Sequence, residues 1–364
     1  MTSSCPPQTD AYRDLFRIFG NRNGRVLEFE ILPPAFGPFL EDDCSIGLTK
    51  KYLVQAFVVA RKLFFDGTKD SNYNECSLSP SSTGNNVTRD QLDETLAIAS
   101  QIILLFDCEH LTACNWRKQR LAALAKSDQE KFIQALEIEL SLMATYLCSP
   151  LHRHTKSPTL WQHREWIQTH LIRLQSPGFQ AAEELFTTEL SVALCAGERH
   201  PRNYYAFSYM RKIHRILSGA SERETGDGSA RLGRSIVSSM LDWCLAHPAD
   251  ISGLMFLLYL LDVVPDLELR SNVMSKVVGF ALDIGWEGES LWTFVDLAVR
   301  NFGLVGTLEK PQGCPWDVLY DSYSIDPPKN ARHESGPAWK TWLDRAQVHW
   351  AHTRQGTIHP SPLT

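Results

Sequence analysis

His152, His154 and His163 stand close together, and nine cysteines are scattered from Cys5 to Cys314. Imidazole and thiolate are the side chains that ligate soft metals and carry nucleophilic catalysis. At these spacings they form no recognised site. The chain has no Cys-x-x-Cys pair, no His-Glu-x-x-His helix and no Gly-x-x-x-x-Gly-Lys-Ser/Thr loop. Most cysteines sit in apolar runs, as in Tyr146-Leu147-Cys148 and Ala193-Leu194-Cys195. Such thiols are small core residues in a reducing compartment. The reading is a cytoplasmic protein with no metal ligands of its own.

Charge is placed more tellingly. The windows 111–121, 151–174 and 199–215 hold twelve Lys/Arg (Arg117, Lys118, Arg120, Arg153, Lys156, Arg164, Arg173, Arg199, Arg202, Arg211, Lys212 and Arg215) and a single acid, Glu165. The chain as a whole has a formal charge of −6. Stacked on one side of a repeat protein, these windows would make a basic stripe suited to an anionic ligand or an acidic partner; the alternative is a set of solvated helix faces. The mild overall charge gives no argument for nucleic acid. No apolar run approaches the ~18 residues needed for a membrane span. The start MTSSCPPQTD lacks the basic and apolar regions of a secretory leader. The end IHPSPLT lacks the cysteine of a prenylation substrate.

The elements that must position these groups are helices. Residues 1–48 read as an irregular segment with a Pro-rich patch at 32–38 and a short strand or helix near 25–32. Leu53, Phe57, Ala60 and Phe64 then fall on a 3.6-residue period. A polar, Ser- and Asn-rich loop is expected over 67–88, and another over 218–229. Between and beyond them, apolar periodicity predicts helices near 90–106, 112–125, 128–147, 158–174, 178–196, 203–217, 230–246, 251–263, 267–284 and 288–302. The segment 311–364 is rich in Pro and Trp and ends in a final helix bearing Trp339, Trp342 and Trp350. The body, 49–310, is thus expected to be all-α.

Within that body a motif recurs. Leu111-Thr112-Ala113-Cys114-Asn115-Trp116-Arg117, Pro158-Thr159-Leu160-Trp161-Gln162-His163-Arg164, Tyr204-Tyr205-Ala206-Phe207 and, more faintly, Ile251-Ser252-Gly253-Leu254 each open an apolar helix. Their anchors Cys114, Trp161, Phe207 and Leu254 succeed one another after 47, 46 and 47 residues. The motifs lie near 107–125, 155–174, 201–217 and 248–263. Such a period fits helical hairpins in register, each burying its face against its neighbours; a tetratricopeptide repeat is shorter, near 34 residues. Glu139 and Glu189 precede the second and third anchors, where each could meet the arginine of an adjoining motif helix and fix register.

The copies around Lys156–Arg164 and Arg202-Asn203-Tyr204-Tyr205-Ala206-Phe207 resemble the repeats of protein prenyltransferase α subunits, in particular the branch of α-subunit repeat-containing proteins. The resemblance covers roughly 90–265. It implies an α-α superhelix, a right-handed solenoid of helical hairpins. It further implies an α-like subunit of a heterodimeric enzyme that transfers an isoprenoid, of the geranylgeranyl type, from its diphosphate to the C-terminal cysteine of a substrate protein. The catalytic zinc would belong to a separate β subunit, so this chain would hold no cofactor and be inactive alone. By the same resemblance Lys156, five residues before Trp161, would meet the departing diphosphate, and Tyr205 would donate a hydrogen bond to it. Cys114, Arg117, Trp161, Arg164, Asn203, Tyr204, Phe207 and Leu254 would be structural. Cys114 stands where the family has Trp, Met210 where it has Arg, and Leu254 and Leu257 replace both signature residues. The alternative is a scaffold derived from that family, without transfer activity.

Overall fold

Helices occupy the stretches whose apolar residues recur at the helical period. The computed structural model describes residues 10–74, 89–151, 153–221, 227–304 and 337–356. In the body, α2 (Lys50–Asn74), α3 (Arg89–Phe106), α4 (Leu111–Leu124), α5 (Gln129–Cys148), α6 (Pro158–Gln175) and α7 (Phe179–Arg199) follow one another through short breaks. Then come α8 (Tyr204–Ser221), α9 (Gly228–Ala246), α10 (Ile251–Val263), α11 (Leu267–Ile284) and α12 (Glu289–Phe302). A last helix, Trp339–Gly356, completes the described elements. The fold class is all-α, of the α-α superhelix type, as expected.

Local chemistry sets the breaks. Asp128 and Asp266 cap α5 and α11 by accepting from the amides of Lys131 and Leu269. Helices α11 and α12 end at Gly285 and Gly303, whose φ values of 67° and 61° suit a residue without a Cβ. The two expected loops begin later than their composition suggests. Helix α2 continues to Asn74 and α8 to Ser221. The rest of 67–88, with Asn86-Val87-Thr88, lies outside the described residues, as do His152, Cys5, Cys76 and the whole of 311–336 with Cys314.

The N-terminal segment is more regular than the irregular structure expected for 1–48, with a strand where a short strand or helix is expected near 25–32. Helix α1 (Asp10–Gly20) buries Ala11, Tyr12, Leu15, Ile18 and Phe19 along one face. Strands β1 (Glu28–Leu32), β2 (Phe39–Asp42) and β3 (Ser45–Thr49) form a sheet in the order β1-β3-β2. Strand β3 pairs parallel with β1 and antiparallel with β2. Strands of four or five residues, interrupted by a proline patch and carrying Glu28, Glu30, Glu41 and Asp42, give too short an alternation to read. On its outer side β1 meets α5: the Leu27 amide donates to Thr145 Oγ1 at 3.0 Å and the Phe29 amide to Ser149 Oγ at 2.9 Å.

The chain divides into two compact units. The first comprises residues 1–177 and 188–216, the second 178–187 and 217–364. In the first, α2 packs on α3, α4 on α3 and α5, and α5 on α6. Leu15, Phe29, Phe64, Ile102, Leu136, Tyr146 and Phe207 are among its fully buried side chains. In the second, α10 packs on α9 and α12, and the final helix, α13, packs on α12. Gly253 permits the α9–α10 approach, because a Cβ there would lie 2.4 Å from Cζ3 of Trp243. Trp342 of α13 donates to Asp296 Oδ1 at 3.2 Å, and Trp350 to the Leu282 carbonyl at 2.9 Å.

Candidate functional site

Four residues before each anchor stands the cap of its helix. His110, Ser157, Asn203 and Asp250 accept, through their side chains, the amides of Ala113, Leu160, Ala206 and both Ser252 and Gly253. The chemistry of the cap varies while its position does not. The anchors that follow are all buried: Cys114, Trp161, Phe207 and Leu254 are at most 3% exposed. Trp161 additionally donates its indole N–H to the Thr155 carbonyl, six residues back, at 2.8 Å. Trp292 does the same to the carbonyl of Trp286, also six residues back and at 2.8 Å. Its helix α12 is capped at Gly288, again four residues before. This is a fifth copy that the sequence period hid, because it follows Leu254 after 38 residues rather than 46 or 47.

The arginines three residues after the first two anchors are buried ion pairs. Arg117 grips Glu139 of α5 with two parallel N–H groups and also donates to Ala97 O and Ser100 Oγ, at 2.9 and 2.8 Å. Arg164 does the same with Glu189 of α7, at 2.7 Å through both Nε and Nη2, and reaches Leu140 O at 3.0 Å. Each carboxylate takes a further donor from the next motif helix, two residues after its anchor. His163 Nε2 lies 2.8 Å from Glu139, and the Tyr209 hydroxyl donates to Glu189 at 2.5 Å. Burial works against the charge on Glu139, yet Arg117 and His163 outweigh it and hold the carboxyl far below its usual range. Burial likewise opposes the charge on Arg164, and Glu189 turns the balance upward. In the third copy Met210 replaces the arginine and in the fourth Leu257 does, and both are fully buried in apolar packing.

One arrangement in this core has the order of a nucleophilic triad. Cys114 Sγ lies 3.2 Å from His163 Nδ1, and His163 Nε2 faces Glu139. With Nε2 beside a carboxylate, the imidazole proton sits there, and Nδ1 accepts from the thiol. Burial pushes the Cys114 thiol up to about 11 and lowers the basicity of His163. Cys114 is 2% and His163 0% exposed. A thiol held protonated and closed to substrate does not act as a nucleophile. The constellation is packing.

The basic windows also change character. Arg117 and Arg164 are consumed internally, Arg120 pairs with Asp93, Arg199 with Glu28 and Lys212 with Glu165. Five of the twelve cations are therefore answered by carboxylates, so the continuous basic stripe expected from the windows is broken. Arg153 is exposed and Lys156 half-buried.

Lys156 ends a short 3-10 turn, His154–Lys156, directly before the cap of α6. Tyr205 is the second residue of α8 and is 46% exposed. The two stretches are tied together. Asn203 Nδ2 donates to the Thr155 carbonyl at 2.7 Å, the same oxygen that receives Trp161, and Thr155 Oγ1 lies 2.8 Å from His200 Nδ1. Lys156 adjoins Thr155, and Tyr205 is two residues past Asn203, so both sit beside one bridge at the N-termini of α6 and α8. Tyr204, expected among the packing residues, is instead 60% exposed. Among the described residues no cluster of three or more His, Cys, Asp or Glu is placed to hold a metal, and no helix is long and apolar enough to cross a membrane.

Comparison with known proteins follows the same helices. Residues 186–217, from Phe186 through Glu189, Asn203 and Tyr209 to Leu217, match the family model of the protein prenyltransferase alpha subunit repeat. Over 181 residues the chain is 26% identical to protein prenyltransferase alpha subunit repeat-containing protein 1 of Danio rerio. That match takes in 46% of this chain and 38% of the length of the relative. Caps, anchors and ion pairs thus recur in the helices that hold residues 186–217, where the chain is similar to the protein prenyltransferase alpha subunit repeat, and 46% of its length is similar to a repeat-containing relative.

Proposed function

We propose that the chain is the α-like subunit of a heterodimeric protein prenyltransferase, acting with a β subunit that supplies the zinc. In this reading it supports transfer of a geranylgeranyl-type isoprenoid from its diphosphate to the C-terminal cysteine of a substrate protein in the cytoplasm. The observation that carries the reading is the bridge at Thr155. It ties together the stretches that carry Lys156, a half-buried residue, and Tyr205, an exposed one, next to the N-termini of two helices. Helix N-termini and an ammonium both favour anions, and neighbouring backbone carries the positive end of each helix dipole. Lys156 would stabilise the charge that grows on the departing diphosphate, which no ground-state contact alone achieves. Tyr205 would add a hydrogen bond to a phosphate oxygen.

The replacement of arginine by the buried Met210 and Leu257 favours a second reading, a repeat scaffold that binds partners without transfer. Co-expression with β subunits separates the two. Co-purification and transfer of an isoprenoid to a cysteine-terminated protein support the enzyme; a complex that forms without transfer supports the scaffold. In an active complex, Lys156→Ala is expected to lower kcat about 100-fold, the scale of one lost transition-state donor, with complex formation unchanged. Equal turnover would remove Lys156 from the site.

A further inference from the structure

Cys148 and Cys195 lie one repeat apart in sequence and meet in the first unit. Cys148 is the last residue of α5, and its Sγ donates to the Val192 carbonyl of α7 at 3.8 Å. Cys195 Sγ donates in return to the Cys148 carbonyl at 3.9 Å. Both side chains are half-buried, whereas Cys108, Cys114 and Cys244 are buried. The environment of the two thiols is unequal. The neighbouring thiol lowers the acidity of Cys148 and raises that of Cys195, and Arg199, one helical turn beyond Cys195, favours a thiolate there. Arg199 is itself held by Glu28, with 2.6 Å between Nη2 and Oε1. A reactive, reachable sulfur thus stands beside a second thiol and a fixed cation.

We propose that Cys148 and Cys195 form a reversible redox pair, in which Cys195 is oxidised by a peroxide and Cys148 closes a disulfide with it. The Cys195 thiolate attacks one peroxide oxygen, the O–O bond breaks, and hydroxide leaves, so that sulfur becomes a sulfenic acid and the peroxide is reduced. The Cys148 sulfur then attacks the Cys195 sulfur, its proton leaves with the sulfenic hydroxyl as water, and the S–S bond forms. A dithiol reverses the bond. The disulfide joins the end of α5 to α7, at the foot of the two connections that run to α6 and α8. This proposal is independent of any transfer activity.

The test uses the full chain. Reduced protein is exposed to about a tenfold excess of hydrogen peroxide, free thiols are blocked with N-ethylmaleimide, and the digest is mapped without reductant. A cross-linked peptide pair containing Cys148 and Cys195, abolished by dithiothreitol, is the expected result. In Cys148→Ser, dimedone should trap Cys195 as its sulfenic acid. Iodoacetamide should label Cys195 at least about tenfold faster than Cys148 in the native protein. Recovery of both cysteines in blocked form, a Cys195 disulfide to any other cysteine, or equal labelling rates would overturn the pairing.

Discussion

Arg164 is held by Glu189 through two hydrogen bonds in a site closed to water, with Gln168 and Tyr209 completing the carboxylate's partners. A pair of this kind adds little net stability, but removing one member strands the other. Glu189→Ala is therefore expected to cost about 3–5 kcal/mol in urea unfolding, and Glu189→Ala with Arg164→Met distinctly less. A double variant no better than the single one would show that the arginine is not what suffers. His154 gives the pH dependence. Burial lowers it to about 4, despite its bond to the Leu104 carbonyl at 3.0 Å, against about 6.5 for the unfolded chain. Between those values the unfolded chain binds a proton that the folded one refuses. Stability is thus full above pH 6.5 and falls as pH drops towards 4, by up to about 3 kcal/mol. Urea midpoints at pH 7.5 and 5 should differ in that direction, and His154→Gln should narrow the gap. At this scale the sequence was partly legible. Glu139 and Glu189 could be placed opposite arginines from spacing alone, but Tyr209 and His163 could not, since a donor two residues past an anchor has no signature until the helices are packed.

At the scale of elements, the helices from α3 to α12 were readable because each carries apolar residues at the helical period. Helix α1 carries a stripe as well, yet its eleven residues lie before a proline patch and short strands, and the segment as a whole masked it. Trp292 was missed for a different reason: the repeat before it is shorter, so a fixed period steps over it. What the copies share is the cap position four residues before a buried anchor, not residue identity. Close approach adds its own constraint at Gly253. Gly253→Ala puts a methyl carbon against the Trp243 ring, where the closest atom would stand at 2.4 Å. Overpacking there is expected to cost about 1–3 kcal/mol, read as a lower urea midpoint with altered near-ultraviolet circular dichroism. Unchanged spectra and midpoint would mean that the ring moves aside freely.

For the whole molecule, the N-terminal segment, which composition suggested was irregular, is packed into the first unit over its described residues, 10–48. Arg22 is 3% exposed and donates to Ile138 O at 2.8 Å and Ser141 Oγ at 2.6 Å, while Phe29 and Ile46 are buried within the same unit. The first unit therefore includes this segment as part of its core rather than as an appendage. A chain beginning at Thr49 is expected to melt more than about 10 °C lower, since several side chains worth about 1.5–3 kcal/mol each lose their burial. An unchanged melting temperature would return the segment to the periphery. The repeat itself was visible because its anchors recur at a nearly fixed spacing; of the sheet only a short element near β1 was legible, because the pairing with β2 and β3 has no local pattern.

The bonds from Thr145 and Ser149 to β1 carry one more consequence. A strand at the margin of a sheet exposes a row of backbone donors on which a strand of another molecule can assemble. Here two helix hydroxyls occupy those donors, at 3.0 and 2.9 Å, so one margin of the small sheet is closed from within. The opposite margin, β2, is four residues long and ends in Glu41-Asp42, with Glu41 paired to Arg17 of α1. Two of the amides along the β1 margin are thereby spent inside the molecule and are withdrawn from pairing with another strand.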